Sequence, residues 1–129
     1  MESLAELASR PWMGIYLRFL AVVLGYGAIV HIANILGFGE KPWLEGPLSW
    51  RIGDLVYAPL NILAAVFLWF RSPWGILLFL IAVGSQFVIY TAFIDHFAFT
   101  AEHRRLIFGL LGTEALLVAG FVILWFLKR

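Results

Sequence analysis

Four long apolar runs separated by short polar punctuation organise this chain: Gly14 to Phe38, Leu55 to Phe70, Trp74 to Ile94, and Leu106 to Leu127. At about 1.5 Å per helical residue, each is near the length that crosses roughly 30 Å of hydrocarbon, the second being the shortest. Barrel strands would alternate polar and apolar positions, and these runs do not. The pattern predicts an all-α fold, a four-transmembrane-helix bundle forming a single integral membrane domain over residues 1–129.

The punctuation supports that count. Ser72 can cap free amides and Pro73 loses no hydrogen bond at a first helical position, so the third span starts there. Arg71 and Ser72 alone separate it from the second span, which makes the two antiparallel neighbours. Thr100 is a cap for the fourth span. The loop Gly39 to Gly53, with Pro42, Gly46 and Pro47, is too polar and broken to span and is expected on the membrane surface. Ser3 and Glu6 have capping-box spacing, which predicts a short interfacial N-terminal helix ending near Pro11. A cleaved signal peptide is not expected, because the start is acidic (Glu2, Glu6) and the apolar run too long.

Composition agrees. Hydrophobic residues make up 63% of the chain and charged residues 13%, against about 45–50% and 25% in soluble domains. Disorder is excluded, and the lack of cysteine excludes a disulfide or thiolate-metal scaffold. A net charge of +1 gives no case for nucleic acid. All six tryptophans fall at predicted interfaces, Trp12, Trp69, Trp74 and Trp125 at one face and Trp43 and Trp50 at the other. The face holding both termini carries Arg10, Arg18, Arg71, Lys128 and Arg129, and the opposite face Lys41, Arg51, Arg104 and Arg105. The excess of one basic group favours termini in the cytoplasm.

Polar side chains at membrane depth are costly and usually face protein or water. His31, Asn61, Gln86 and Glu114 fall within about two helical turns of the midplane and are expected to form one polar layer. His31 shares a helix face with Asn34, and Gln86 with Tyr90. One reading of the layer is interhelical hydrogen-bonding glue, worth about 0.6 and up to roughly 2 kcal/mol per bond. The other is a ligand or proton-relay site in which Glu114 and His31 exchange a proton or hold a quinone-like or other polar headgroup. A third placement has Glu114 meeting another subunit.

That placement has a geometric motive. Gly109, Gly112, Ala115 and Ala119 make a small-residue stripe on the fourth span, nearly opposite Glu114. On the first span Ala21, Gly25 and Ala28 form a small face, and Gly27, His31 and Asn34 a second. Small residues let helices approach closely, so two contact faces point to a homo-oligomer or to other membrane subunits. Arg18, about a turn inside the first span, is expected to snorkel to the headgroups. Pro59 is expected to kink the second span and free the Leu55 carbonyl. Asp54, Asp95, His96, Glu102 and His103 gather metal-ligand types at one face, but short polar turns collect such residues anyway, and no metal site is assigned.

Hydrolase, kinase and soluble dehydrogenase motifs are missing from the sequence, and His31 is the sole deep histidine, so bis-imidazole haem ligation is not expected. The run from Arg18 through Gly25 and Gly27 to His31, followed by the proline-bearing loop Glu40 to Asp54, resembles the first span and loop of DoxX-like four-helix membrane proteins. That resemblance implies a bacterial inner-membrane protein, in some cases associated with quinone-using respiratory enzymes. The expected role is a non-enzymatic subunit or accessory factor of a larger membrane complex. The alternative is a small proton-coupled transporter or lipophilic-ligand-binding protein using Glu114 and His31, with membrane lipid or quinone as the ligand.

Overall fold

In a computed structural model describing residues 3–127, five helices follow one another: α1 (Leu4–Ser9), α2 (Pro11–Ile35), α3 (Leu48–Trp69), α4 (Pro73–Ala92) and α5 (Ala101–Leu127). Single 3-10 turns lie at Trp43–Glu45 and Ile94–His96. Helices α2 to α5 are each long and apolar enough to cross a membrane. Lys128 and Arg129, counted above with the basic residues, and Glu2 lie outside the described residues.

Local chemistry explains where the helices begin. Ser3 Oγ accepts from the Glu6 amide at 3.1 Å, as the capping spacing predicts. Helix α1 does more than lie on a surface, because Leu7 and Ala8 are buried in the main apolar cluster with Leu17, Leu20, Leu68, Ile76, Phe79 and Phe121. Ser72 Oγ accepts from the Trp74 amide, and Thr100 Oγ1 from the His103 amide at 3.0 Å. Helix α5 therefore opens at Ala101, one charged turn before its apolar run. Helix α2 stops at Ile35, short of Phe38, because Gly37 takes φ 94° and the Phe38 amide turns back to the Ala33 carbonyl.

The second span departs most from expectation. Helix α3 starts at Leu48 instead of Leu55, so Leu48–Gly53 forms helical turns, not surface loop. Pro47, in an extended conformation, ends the loop and its carbonyl takes the Arg51 amide. The polar composition that broke the apolar run belongs to Gly39–Pro47, and it obscured a helix whose first turns carry Ser49, Trp50, Arg51 and Asp54. Helix α3 continues through Pro59 as one element.

Helices α2, α3 and α4 form the tight part of the bundle. Gly75 sits where α4 crosses the end of α3: a Cβ there would stand 2.5 Å from the Leu68 nitrogen. Helix α5 is attached more lightly, with Leu111, Glu114 and Phe121 as its buried residues. Polar bonds hold it at the end near the termini. The Tyr16 hydroxyl donates to the Leu117 carbonyl at 2.5 Å, and Arg10 Nη1 to the Trp125 carbonyl at 2.9 Å. Arg18, expected to snorkel to the headgroups, is exposed and donates from Nε to the Trp69 carbonyl at 3.1 Å, at the negative end of α3, with its guanidinium 5.2 Å from the Trp69 ring centre.

The small face of α2 is occupied within the chain. Ala21 and Ala28 are buried, and Gly25 packs toward Ala65 of α3. Its second face is also used, since Gly27 lies against Asn61 and His31 and Asn34 reach Asp54. The stripe Gly109, Gly112, Ala115 and Ala119 on α5, by contrast, is exposed.

Candidate functional site

The expected single polar layer is divided into separate groups. At the deeper level Gln86 faces Glu114, and with its amide turned so that the nitrogen meets the Glu114 carboxyl group it donates there, linking α4 to α5. Glu114 is 7% exposed, and its partner is Gln86, not His31. Asn61 lies buried with its Nδ2 against Gly27, and its Oδ1 has no hydrogen-bond partner among the described residues.

His31 belongs to a second group, nearer the face away from the termini. Its Nδ1 lies 2.7 Å from Asp54 Oδ1. Asn34 Nδ2 donates to the same oxygen at 3.3 Å, and Trp43 Nε1 donates to Oδ2 at 3.1 Å. Asp54 is only 5% exposed, and these three donors account for its burial. The His31 ring also stacks on Tyr57, whose hydroxyl donates to Ser85 Oγ at 2.7 Å while Ser85 itself donates to the Ala82 carbonyl. With Nδ1 committed to the carboxylate, Nε2 is the ring nitrogen left for another partner.

Asp54 is the residue that sequence reasoning placed in a loop and did not include in the layer. A helix begun after Pro47 would have supplied the signal: Asp54, Tyr57 and Asn61 then recur at i, i+3 and i+7 along one face, and all three are buried.

This second group borders a cavity of about 390 Å³, within the roughly 300–1,000 Å³ of small-molecule sites. Helix α2 contributes His31 and Asn34, α3 contributes Trp50, Arg51, Gly53 and Asp54, α4 contributes Tyr90, and α5 contributes Leu106, Ile107 and Leu110. The polar side chains line one part of the wall and the α5 leucines and isoleucine another, which suits an amphiphile. Tyr90 and Leu110 each stand four residues before or after Gln86 and Glu114, so that pair lies about one helical turn deeper along the same faces. A second, largely apolar cavity of about 350 Å³ lies between α3 and α4, and Gly53 and Phe97 line both.

The mouth of the first cavity is tied together by polar bonds. The Phe99 amide donates to His103 Nδ1 at 3.1 Å, so His103 Nε2 carries the proton and donates to Glu40 Oε2 at 2.9 Å. The loop after α2 is thereby held to the start of α5. Trp50 Nε1 donates to the Phe97 carbonyl at 2.8 Å and Ser49 Oγ to the His96 carbonyl at 2.5 Å, which fix α3 against the turn before α5. Asp95 pairs with Arg104 at 2.5 Å. Asp54, Asp95, His96, Glu102 and His103 thus go to different partners or stand apart, and among the described residues no three His, Asp or Glu side chains are grouped to hold a metal ion.

Fold and site together define a four-span integral membrane protein with a polar, histidine-bearing cavity near one face of its bundle. The chain belongs to a family of unknown function, DUF6163, whose family model matches residues 11–129. No curated protein and no solved structure matches it.

Proposed function

We infer that this protein binds a lipophilic ligand with a polar head, and that the cavity beside His31 and Asp54 is the binding site. The observation that carries this reading is the free Nε2 of a histidine whose other nitrogen is fixed by a buried carboxylate, on the wall of a cavity with one polar and one apolar side. A carboxylate-oriented imidazole is a precise hydrogen-bonding partner, because its tautomer and ring angle are set before the ligand arrives. The likeness to DoxX-like proteins, some of them associated with quinone-using enzymes, favours a quinone or a lipid. If the termini are cytoplasmic, as the basic residues favour, the cavity belongs to the outer side of a bacterial inner membrane.

A tryptophan fluorescence titration tests the reading, since Trp43 and Trp50 both line the cavity. Decylubiquinone, oleate and lysophosphatidate are added to purified protein in detergent. At least one should quench saturably, and Gly53→Leu should abolish that saturation, because a Cβ at Gly53 meets nothing within 4 Å and the larger side chain fills the space. Linear quenching by every compound, unchanged in Gly53→Leu, contradicts it.

A second reading, membership in a larger membrane assembly as an accessory subunit, has its own support. The stripe Gly109, Gly112, Ala115 and Ala119 lies exposed on the helix that the bundle holds least. Replacing Gly112 with Leu should then shift the size of the detergent-solubilised particle. Wild-type protein that runs as a single monomer speaks against it.

A further inference from the structure

We propose that the ligand of this cavity carries an oxyanion head, and that Arg51 is the side chain that pairs with it; this rests on the binding reading above and specifies its ligand class.

The argument is an account of unspent hydrogen-bonding capacity. Two carboxylates line the cavity, and both are engaged. Asp54 accepts from His31, Asn34 and Trp43, and Glu40 accepts from His103. The cations are not engaged in the same way. Among the described residues the Arg51 side chain makes no hydrogen bond or ion pair, and its Nε is sealed from solvent without an acceptor. The Lys41 side chain, exposed at the cavity, makes none among the described residues either. The Tyr90 hydroxyl is a further donor, without a partner among the described residues, its ring being held edge-on by Phe97. Against the His31 Nε2, an acceptor while that ring is neutral, the free donors in this cavity are Arg51, Lys41 and Tyr90, and two of them are charged.

A guanidinium that lines a cavity without an acidic partner is costly, and an oxyanion is the group that compensates it best. The planar fork of arginine matches carboxylate and phosphate geometry with two parallel hydrogen bonds. The position of Arg51 adds to this. It lies in the first turn of α3, a helix whose N-terminus has no side-chain cap, so the backbone there also favours negative charge. A neutral head such as a quinone ring would accept from Tyr90 and leave the Arg51 charge uncompensated. Leu106, Ile107 and Leu110 of α5 supply the apolar wall along which a chain attached to the head would run.

The test compares amphiphiles differing in the head. Lysophosphatidate and oleate are titrated against monooleoylglycerol, which has the chain without the charge, using wild type, Arg51→Gln, Lys41→Gln and Arg104→Gln, the last a basic residue outside the cavity and paired with Asp95. Both anions should bind wild type at least tenfold more tightly than the glyceride. Arg51→Gln should remove most of that preference, Lys41→Gln a smaller part, and Arg104→Gln none. Should Arg51→Gln fail to fold, the exposed Lys41→Gln and the wild-type comparison of heads still decide. Inorganic phosphate as competitor separates the sources: displacement of lysophosphatidate points to a soluble anion, and its failure to the lipid, both consistent with an oxyanion site. Glyceride bound as tightly as the anions, indifferent to Arg51→Gln but lost in Gly53→Leu, overturns the oxyanion and leaves the cavity reading standing. No saturable binding by any of them overturns both.

Discussion

Asp54 fixes His31: the 2.7 Å contact between Oδ1 and Nδ1 joins a carboxylate on the second turn of α3 to an imidazole near the end of α2. Asn34 and Trp43 complete the carboxylate's shell, so one acid organises the end of α2, the loop after it and the start of α3. Asp54→Ala leaves three donors without an acceptor and should cost about 1–3 kcal/mol. Asp54→Asn, which retains a carbonyl oxygen, should cost less. Thermal unfolding in detergent measures both, and equal melting of Asp54→Ala and wild type would show that the shell contributes nothing.

Gly75 and Gly84 lie on the same helix and should respond in opposite ways. A Cβ at Gly75 collides with the backbone of Phe67 and Leu68, whereas at Gly84 it meets nothing within 4 Å. Gly75→Ala should destabilise by about 1–3 kcal/mol through overpacking. Gly84→Ala should be neutral or stabilise by up to about 1 kcal/mol, the helix-propensity difference. Melting temperatures of the two variants in the same detergent check the contrast.

The attachment of α5 rests on Tyr16. Tyr16→Phe removes the bond to the Leu117 carbonyl and should cost about 1 kcal/mol. A Cβ at Gly120 would stand 2.6 Å from the Tyr16 hydroxyl oxygen. Gly120→Ala should therefore be costly in wild type and cheaper in the Tyr16→Phe background. A double-mutant cycle reads that coupling, and additive effects would contradict the contact.

The Gln86–Glu114 bond joins α4 to α5 within hydrocarbon. Glu114→Leu should cost roughly 0.6–2 kcal/mol, the scale of interhelical bonds in membranes. Glu114→Gln preserves an acceptor for Gln86 and should cost less. A pH-driven flux in proteoliposomes that Glu114→Gln abolishes would instead make the acid part of a proton path.

The apolar runs made the four spans legible, and the caps at Ser3, Ser72 and Thr100 were readable because each is a local signal of side chain and spacing. The site was readable only in part. His31 and Asn34 stand out as polar residues in an apolar helix, but Asp54 and Arg51 lie in helical turns whose polar content mimics a loop, and the burial of Asp54 depends on its packing against α2 and Trp43. Pairing was not legible either. Depth alone put His31 and Glu114 in one layer, and it is the arrangement of the helices that gives His31 to Asp54 and Glu114 to Gln86. The small face of α2 similarly suggested a partner from composition, where the structure fills it with α3.

The binding account is tested most directly at His31 itself. The chain has three histidines, His31, His96 and His103, and nitrogen-15 labelling of their rings gives three resolvable sets of NMR signals in detergent micelles. On titration with lysophosphatidate, oleate or decylubiquinone, the His31 ring signals should shift saturably, while those of His96, outside the cavity, stay fixed. His31 signals that remain unmoved by all three compounds would contradict the account.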